Sequence, residues 1–198
     1  MLNKGFVPSP DQSFVFVDAS ANIPTHALRI FQEDQKERKK KGGASIFLVG
    51  DLIARDLEIG KEMRVKMRSE MNFLYVEWKA HQMPIKRKSV NMIWDRLGCL
   101  WHVASDICLG EFLSTIDHYR EILKEGGCFL VDDAIFGDNS SNQYYLESFA
   151  LQPSTVQKIE TMHGNSGYQS MLSEICQRGF ETFSIGEDNR KMMVFKKL

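Results

Sequence analysis

The stretch that decides the fold is Tyr119–Val131, which reads YREILKEGGCFLV. It overlaps the end of an amphipathic segment, Glu111–Lys124, whose apolar residues recur at helical spacing along one side. Gly126–Gly127 predicts the end of a helix, because glycine readily adopts the left-handed backbone conformation found there. Cys128–Val131 is a short apolar run, which is typical of a strand covered on both faces. The stretch therefore predicts a helix, a glycine turn and a buried strand in succession.

The residues before this stretch repeat the same alternation. Apolar runs rich in β-branched and aromatic side chains predict four earlier strands, at Phe14–Val17, Ser45–Val49, Asn72–Val76 and Val90–Trp94. Helices are predicted between them, one from about Pro24 to the Gly42–Gly43 pair and another over Ile53–Arg68. Strands that alternate with helices predict a parallel sheet with right-handed crossover connections.

The last third of the sequence has a different order. A helix is predicted over Ser170–Gln177, and two strands follow, Phe180–Ile185 and Lys191–Phe195, which should pair as an antiparallel hairpin. The expected fold is therefore α/β: a doubly wound, mostly parallel sheet with helices on both faces and a C-terminal antiparallel hairpin. Residues 1–13 are expected to form an irregular N-terminal arm, and residues 14–198 a single domain.

Composition and charge disfavour several classes of protein. The 198 residues are 43% hydrophobic and 26% charged, as in ordinary globular proteins, and the formal net charge of -1 provides no overall basic field for nucleic acid. The N-terminal residues lack the apolar region of a signal peptide, and no apolar run is long enough to span a membrane. The four cysteines contain no C-x-x-C pair and the isolated histidines form no ligand pattern, so no metal site is expected. Without a disulfide framework, a reducing and cytoplasmic location is expected.

The order of elements resembles that of the class I S-adenosylmethionine-dependent methyltransferases, whose Rossmann-like sheet has five parallel strands and a closing antiparallel hairpin. Tyr119–Val131 is similar to the family's helix, glycine turn and fifth strand. Asn91–His102 resembles the fourth strand and the loop after it, and Gly179–Phe180 and Met192–Lys197 resemble the closing strands. The resemblance covers about residues 14–198 and implies methyl transfer with S-adenosylmethionine as the cofactor.

The resemblance implies a cofactor site directly after the first strand. The family carries Asp/Glu-x-Gly-x-Gly-x-Gly there, and the aligned stretch is DASANIP, from Asp18 to Pro24. Asp18 keeps the acid, whereas Ser20, Asn22 and Pro24 replace the three glycines that let backbone and ligand approach closely. Ser20 and Asn22 can still form turns and hydrogen bonds, and both are expected to bind the cofactor together with Asp18.

Two further positions are expected to bind the adenosine part of the cofactor. Asp51, just after the second strand, matches the family's acid that accepts hydrogen bonds from both ribose hydroxyls. Lys79 stands where the family often carries an aspartate that meets the adenine amino group, and lysine is a donor instead of an acceptor. A structural alternative is open for Asp18 and Asp51, because either could cap the helix that follows it.

The loop after the fourth strand faces the transferred methyl group in this family. It contains Asp95 and His102, either of which could act as the general base for an acceptor that carries a proton. Asp95 is also expected to lie against the cofactor. His102 follows Trp101 and could instead be a packed loop histidine. The methyl acceptor is expected to bind to the segment Phe136–Gly167 or to a partner subunit.

Three functions remain open from the sequence, the third being a nucleotide-binding protein of the same layer architecture with another ligand. The first is methyl transfer from S-adenosylmethionine to an unidentified acceptor, expected to be a small molecule. The second is a degenerate methyltransferase fold that serves as a binding or assembly module, which the replaced glycines and Lys79 favour. Neither nucleic acid nor a membrane is expected as a partner, since the basic run Lys36–Lys41 has no interleaved aromatic residues and is typical of a solvated helix end. A homo-oligomer is left open.

Overall fold

The computed structural model describes residues 5–19, 25–51, 73–95, 109–132, 167–186 and 192–198. The helix predicted over Ile53–Arg68 lies outside these residues. The segment expected to bind the methyl acceptor also lies outside them, up to residue 166.

Within the described residues, seven strands form one sheet. Their bounds are β1 Phe14–Asp18, β2 Ser45–Asp51, β3 Phe73–Glu77, β4 Val90–Asp95, β5 Leu123–Asp132, β6 Phe180–Ile185 and β7 Met192–Lys197. The helices in this part of the chain are α1 Thr25–Lys41, α2 Leu109–Ile122 and α3 Gly167–Gln177, and one 3-10 turn, Ala80–Gln82, follows β3. All seven predicted strands are therefore present.

The sheet is parallel except at one side. The order across it is β3-β2-β1-β4-β5-β7-β6. The first five strands pair in parallel, whereas β7 runs antiparallel to both β5 and β6. The mostly parallel sheet and its closing hairpin are thus confirmed. Because β3 and β4 lie on opposite sides of the β1–β2 pair, the direction of winding reverses at β1 and β4, and this boundary is the switch point of the sheet.

Apolar side chains fill both faces of the sheet. On one face, Tyr119 of α2 and Ile175 of α3 pack in a cluster with strand residues such as Phe129. On the other face, Phe31 of α1 stacks against Phe47 of β2, with ring centroids 4.9 Å apart. Successive strand residues point to opposite faces, so strands such as β1 and β4 contribute to both clusters. Since helices cover both faces, the doubly wound arrangement is confirmed.

The junction between α2 and β5 differs from the prediction. The helix ends at Ile122, before the predicted end at Lys124, and β5 begins at the next residue. Its pairing with β4 shifts register between Val90↔Leu123 and Met92↔Cys128, so the intervening residues leave the ladder. Gly126 lies in this irregular stretch with a φ of 72°, which a residue with a Cβ rarely adopts. The glycine turn therefore forms as a bulge at the start of the strand.

The residues before β1 are held to the domain by a buried arginine. Arg38 of α1 has an exposed fraction of 0%, and its guanidinium pairs with Asp34 one helical turn earlier. It also donates hydrogen bonds of 2.6–2.8 Å to three backbone carbonyls between Pro8 and Gln12. The expectation that Lys36–Lys41 is a solvated helix end is therefore wrong for Arg38, because a planar guanidinium supplies enough donors to satisfy several buried acceptors at once.

Candidate functional site

Acidic residues end all five parallel strands at the carboxyl edge of the sheet, and the sequence singled out three of them. Asp18, Asp51 and Asp95 are the last residues of β1, β2 and β4. Asp18 lies opposite Val49 of β2 and opposite Trp94 of β4, so the three acids are close in the register of the sheet. Ligands of open α/β sheets bind beyond this edge, at the switch point. The topology thus brings together three of the residues that the sequence singled out.

Asp18 and Asp95 belong to opposite faces of the sheet. Asp18 has an exposed fraction of 5% and follows Phe16 in the alternation of β1, and Phe16 packs in the cluster under α1. Asp95 follows Ile93 in the alternation of β4, and Ile93 packs in the cluster under α2 and α3. The two acids that flank the switch point are therefore separated by the plane of the sheet.

Asp95 is joined to α2 by a buried hydrogen bond. The Tyr119 hydroxyl donates to Asp95 Oδ2 at 2.9 Å, and both residues have an exposed fraction of 0%. A carboxylate with no exposed surface cannot take a proton directly from a bound acceptor in this arrangement. The geometry therefore suits Asp95 to fixing the end of β4.

A tryptophan covers the carboxyl ends of β1 and β2 on the face under α2. Trp78, which follows β3, has an exposed fraction of 5%, and its indole Nε1 donates to the carbonyl of Ala19 at 3.0 Å. Its ring lies against Gly50 so closely that a Cβ at Gly50 would overlap the ring. The sequence does not predict this contact. It shows a glycine at the end of β2 and a tryptophan just after β3, but only the pairing of Gly50 with Val76 places the indole over a position without a side chain.

Lys79 follows Trp78 and is exposed. It precedes the 3-10 turn as its N-cap, with extended backbone angles and no hydrogen bond from its side chain to the turn. The ammonium group is thus presented to solvent beside the end of β3 and can only donate hydrogen bonds. A ligand that meets Lys79 must offer an acceptor or a negative charge there.

Several predicted site residues lie outside the part of the chain that can be described. These are Ser20, Asn22 and His102, together with the side chain of Asp51, whose backbone is placed as the end of β2. Their roles stay predictions.

Other reactive groups in the described structure do not form a second centre. Burial raises the pKa of the Cys128 thiol to about 12, so this residue stays protonated near neutral pH and packs as a small apolar side chain. Among the described residues, no group of three or more histidine, cysteine, aspartate or glutamate side chains is arranged to hold a metal ion. No helix in the described ranges is long and apolar enough to cross a membrane.

Comparison with known proteins identifies the fold. No model of a known protein family matches the sequence, and no curated protein does. A methyltransferase of the S-adenosylmethionine-dependent class from Methanosarcina mazei aligns over 100% of this chain and 97% of its own, with a TM-score of 0.59 and 11% identity. The aminoglycoside resistance methyltransferase NpmB1 aligns over 100% of this chain and 92% of its own, with a TM-score of 0.55 and 15% identity.

A third solved structure contains the cofactor. Geranyl diphosphate methyltransferase, in complex with S-adenosylmethionine, aligns over 96% of this chain and 80% of its own, with a TM-score of 0.57 and 8% identity. The chain therefore has the fold of the class I S-adenosylmethionine-dependent methyltransferases.

The described residues fit S-adenosylmethionine in one respect and not in another. Carboxylates at the ends of adjacent strands suit both the hydroxyl groups of a ribose and the positive charge of a sulfonium. Lys79 does not suit the adenine amino group, because both groups are donors. The acidic edge is thus compatible with the cofactor, while the residues after β3 differ from those that the fold family uses.

Proposed function

We propose that this protein is a methyltransferase that transfers a methyl group from S-adenosylmethionine to a small-molecule acceptor. The observation that carries the proposal is that Asp18, Asp51 and Asp95 end β1, β2 and β4 at the carboxyl edge, where β1 and β4 form the switch point. The similarity of the fold to that of several methyltransferases supports it. Fold alone does not define activity, so the proposal rests on the acids and needs a binding measurement.

Asp51, Asp18 and Lys79 have distinct proposed roles in holding the cofactor. Asp51 accepts hydrogen bonds from the two ribose hydroxyls, since its carboxylate has two oxygens and a vicinal diol has two donors. Asp18 places negative charge at the end of β1, near the start of the loop in which Ser20 and Asn22 bind through their polar side chains. Lys79 contacts an acceptor atom at the adenosine end of the ligand.

The chemical step requires positioning more than it requires acid–base catalysis. When bound, S-adenosylmethionine supplies an electrophilic methyl group, and the acceptor must lie in line with it. An acceptor that carries a proton also needs a base, for which Asp95 and His102 are the candidates. Because Asp95 is bonded to Tyr119, we assign the proton transfer first to His102 and the alignment of the β4 end to Asp95.

A second function is favoured by the residues that follow β3. The exposed Lys79 would suit a fold that has lost its cofactor and binds another ligand or protein. In that case the three aspartates end their strands without binding the cofactor. The two functions differ in one measurable property, which is affinity for S-adenosylmethionine.

Isothermal titration calorimetry with S-adenosylmethionine and S-adenosylhomocysteine tests the proposal directly. Binding of both compounds by the natural protein, and loss of about 1.5–3 kcal/mol in Asp51→Ala, are expected, the scale of hydrogen bonds to a charged group. Glu181→Ala is the matched control, because it removes one exposed carboxylate from β6 at the far side of the sheet. Its affinity should equal that of the natural protein.

The outcomes separate the two functions. Binding that is lost in Asp51→Ala and kept in Glu181→Ala supports the methyltransferase. An equal effect of both substitutions would show that net charge, and not a ribose contact, is responsible. Absence of binding by the natural protein would favour the non-enzymatic module.

A further inference from the structure

Ala19 is held at both of its backbone polar groups. Its N–H donates to the carbonyl of Trp94 at 2.9 Å, which continues the pairing of β1 with β4. Its carbonyl accepts the hydrogen bond from Trp78 Nε1 at 3.0 Å, and this bond comes from the loop after β3. Two different strands therefore fix the residue that directly follows Asp18.

The Ala19 carbonyl differs from the carbonyls within β1, because it belongs to the peptide unit that follows the strand. A peptide unit is planar, so a bond to the Ala19 oxygen also fixes the plane of the peptide that leads into the loop of the proposed cofactor site. Backbone N–H groups in such loops are the donors that bind anionic parts of a ligand. An indole that holds this oxygen thus fixes the peptide plane at the residue that directly follows β1.

The position of the indole is itself determined by Gly50. A Cβ at this residue would overlap the ring, so glycine is required for Trp78 to reach Ala19. The indole is nearly fully buried and packs in the cluster under α2, where a broken N–H bond has no water to replace it. The contact of Trp78 with Gly50 and its bond to Ala19 therefore connect the ends of β1, β2 and β3.

We propose that Trp78 is a positioning residue for the ligand-binding end of β1: its indole, seated on Gly50, holds the Ala19 carbonyl and thereby sets the affinity of the site for S-adenosylmethionine. The claim about affinity rests on the proposed function. The claim that the indole holds the Ala19 carbonyl concerns the protein without ligand and can be tested separately. The rival interpretation is that Trp78 only fills the core, in which case its substitution lowers stability and leaves affinity unchanged.

The ligand-free protein provides the first test. Trp78→Phe keeps an aromatic ring and removes the N–H donor, so the end of β1 should open more often. Hydrogen exchange of the Ala19 amide is expected to become about three- to tenfold faster, the equivalent of one net hydrogen bond. Phe180→Leu is the control, because Phe180 is buried in the same cluster but lies on β6 at the far side of the sheet. It lowers overall stability without touching Ala19.

Binding of S-adenosylhomocysteine provides the second test. By calorimetry, Trp78→Phe should bind about three- to tenfold more weakly than the natural protein, and Phe180→Leu should bind equally well. In natural protein labelled with 15N-tryptophan, the Nε1–H resonance of Trp78 should shift on addition of the compound more than that of Trp94. This spectroscopic measurement does not depend on the folding of a variant.

The results decide between the interpretations as follows. Faster exchange at Ala19, weaker binding in Trp78→Phe and a ligand-dependent shift of the Trp78 resonance support the proposal. Unchanged exchange, or equal loss of affinity in Trp78→Phe and Phe180→Leu, overturns it. A natural protein that does not bind the compound overturns the proposed function and the affinity claim, while the exchange comparison still decides whether Trp78 holds the end of β1.

Discussion

The Tyr119 hydroxyl donates a hydrogen bond of 2.9 Å to Asp95 Oδ2, which joins the last turn of α2 to the last residue of β4. Tyr119→Phe removes this donor and keeps the edge-to-face packing on Phe129. Because both partners are fully buried, we expect the free energy of unfolding to fall by about 1.5–3 kcal/mol. Denaturant unfolding measures this change.

A double-mutant cycle isolates the bond between these two residues. Asp95→Ala removes the carboxylate that accepts this bond. The sum of the two single effects should exceed the effect of the double substitution, because both remove the same interaction. Additive effects would show that Tyr119 contributes through packing alone.

A Cβ at Gly50 should displace the Trp78 indole. Gly50→Ala is expected to lower the free energy of unfolding by about 1–3 kcal/mol, the scale of overpacking in a dense core. In a Trp78→Ala background the same change should cost little, because the ring that it meets is gone. An equal cost in both backgrounds would mean that the effect at Gly50 comes from its backbone and not from the ring.

The segment before β1 should depend on Arg38. Arg38→Leu leaves Asp34 buried beside an apolar chain and frees three carbonyls, so we expect a loss of about 3–5 kcal/mol in the free energy of unfolding. Limited proteolysis should also cut more rapidly within residues 5–13. The control is Lys41→Ala, which breaks an exposed pair with Glu37 and should cost less than about 1 kcal/mol. Similar losses in the two variants would contradict the assignment.

Mild acidification should lower the free energy of unfolding because of the protonation of His118. Burial is the main cause that lowers the pKa of this histidine below its ordinary value of 6.5, against the opposing influence of its bond to the Met83 carbonyl. The unfolded chain then binds the proton more tightly than the folded chain, so the stabilising contribution is complete above pH 6.5 and is lost as the pH falls through the lowered pKa.

The measurement for His118 compares two proteins at two pH values. Denaturant unfolding of the natural protein should lose more free energy between about pH 7.5 and about pH 5.5 than His118→Gln does. Subtraction removes the contribution of the carboxyl groups that the two proteins share. A larger loss in the variant would reverse the sign of the assigned shift.

The loop after β1 should bind the cofactor more tightly when its glycines are restored. Ser20→Gly with Asn22→Gly removes two Cβ atoms from a place where the fold family brings backbone against the ligand. Calorimetry with S-adenosylmethionine should then show stronger binding than in the natural protein. Weaker binding would show that the hydrogen bonds of the Ser20 and Asn22 side chains contribute more to affinity than their Cβ atoms cost.

The sequence predicted the order and type of the elements because that information is local. Short apolar runs predicted the strands of the parallel sheet, helical spacing predicted α2, and the short connection after Ile185 predicted the closing hairpin. Strand ends then placed Asp18, Asp51 and Asp95 at one edge, since all parallel strands present their carboxyl ends together. The positions of these three acids therefore follow from the local sequence pattern of each strand taken separately.

Only the tertiary structure decided the contacts between residues that are distant in sequence. Trp78 and Ala19 are 59 residues apart, and Tyr119 and Asp95 are 24 apart. Nothing in a local pattern distinguishes an indole that bonds to a strand end from one that merely fills a core, because both are buried and aromatic. Such contacts depend on the register of neighbouring strands and on space left by a missing side chain, as at Gly50, and these exist only once the sheet has formed.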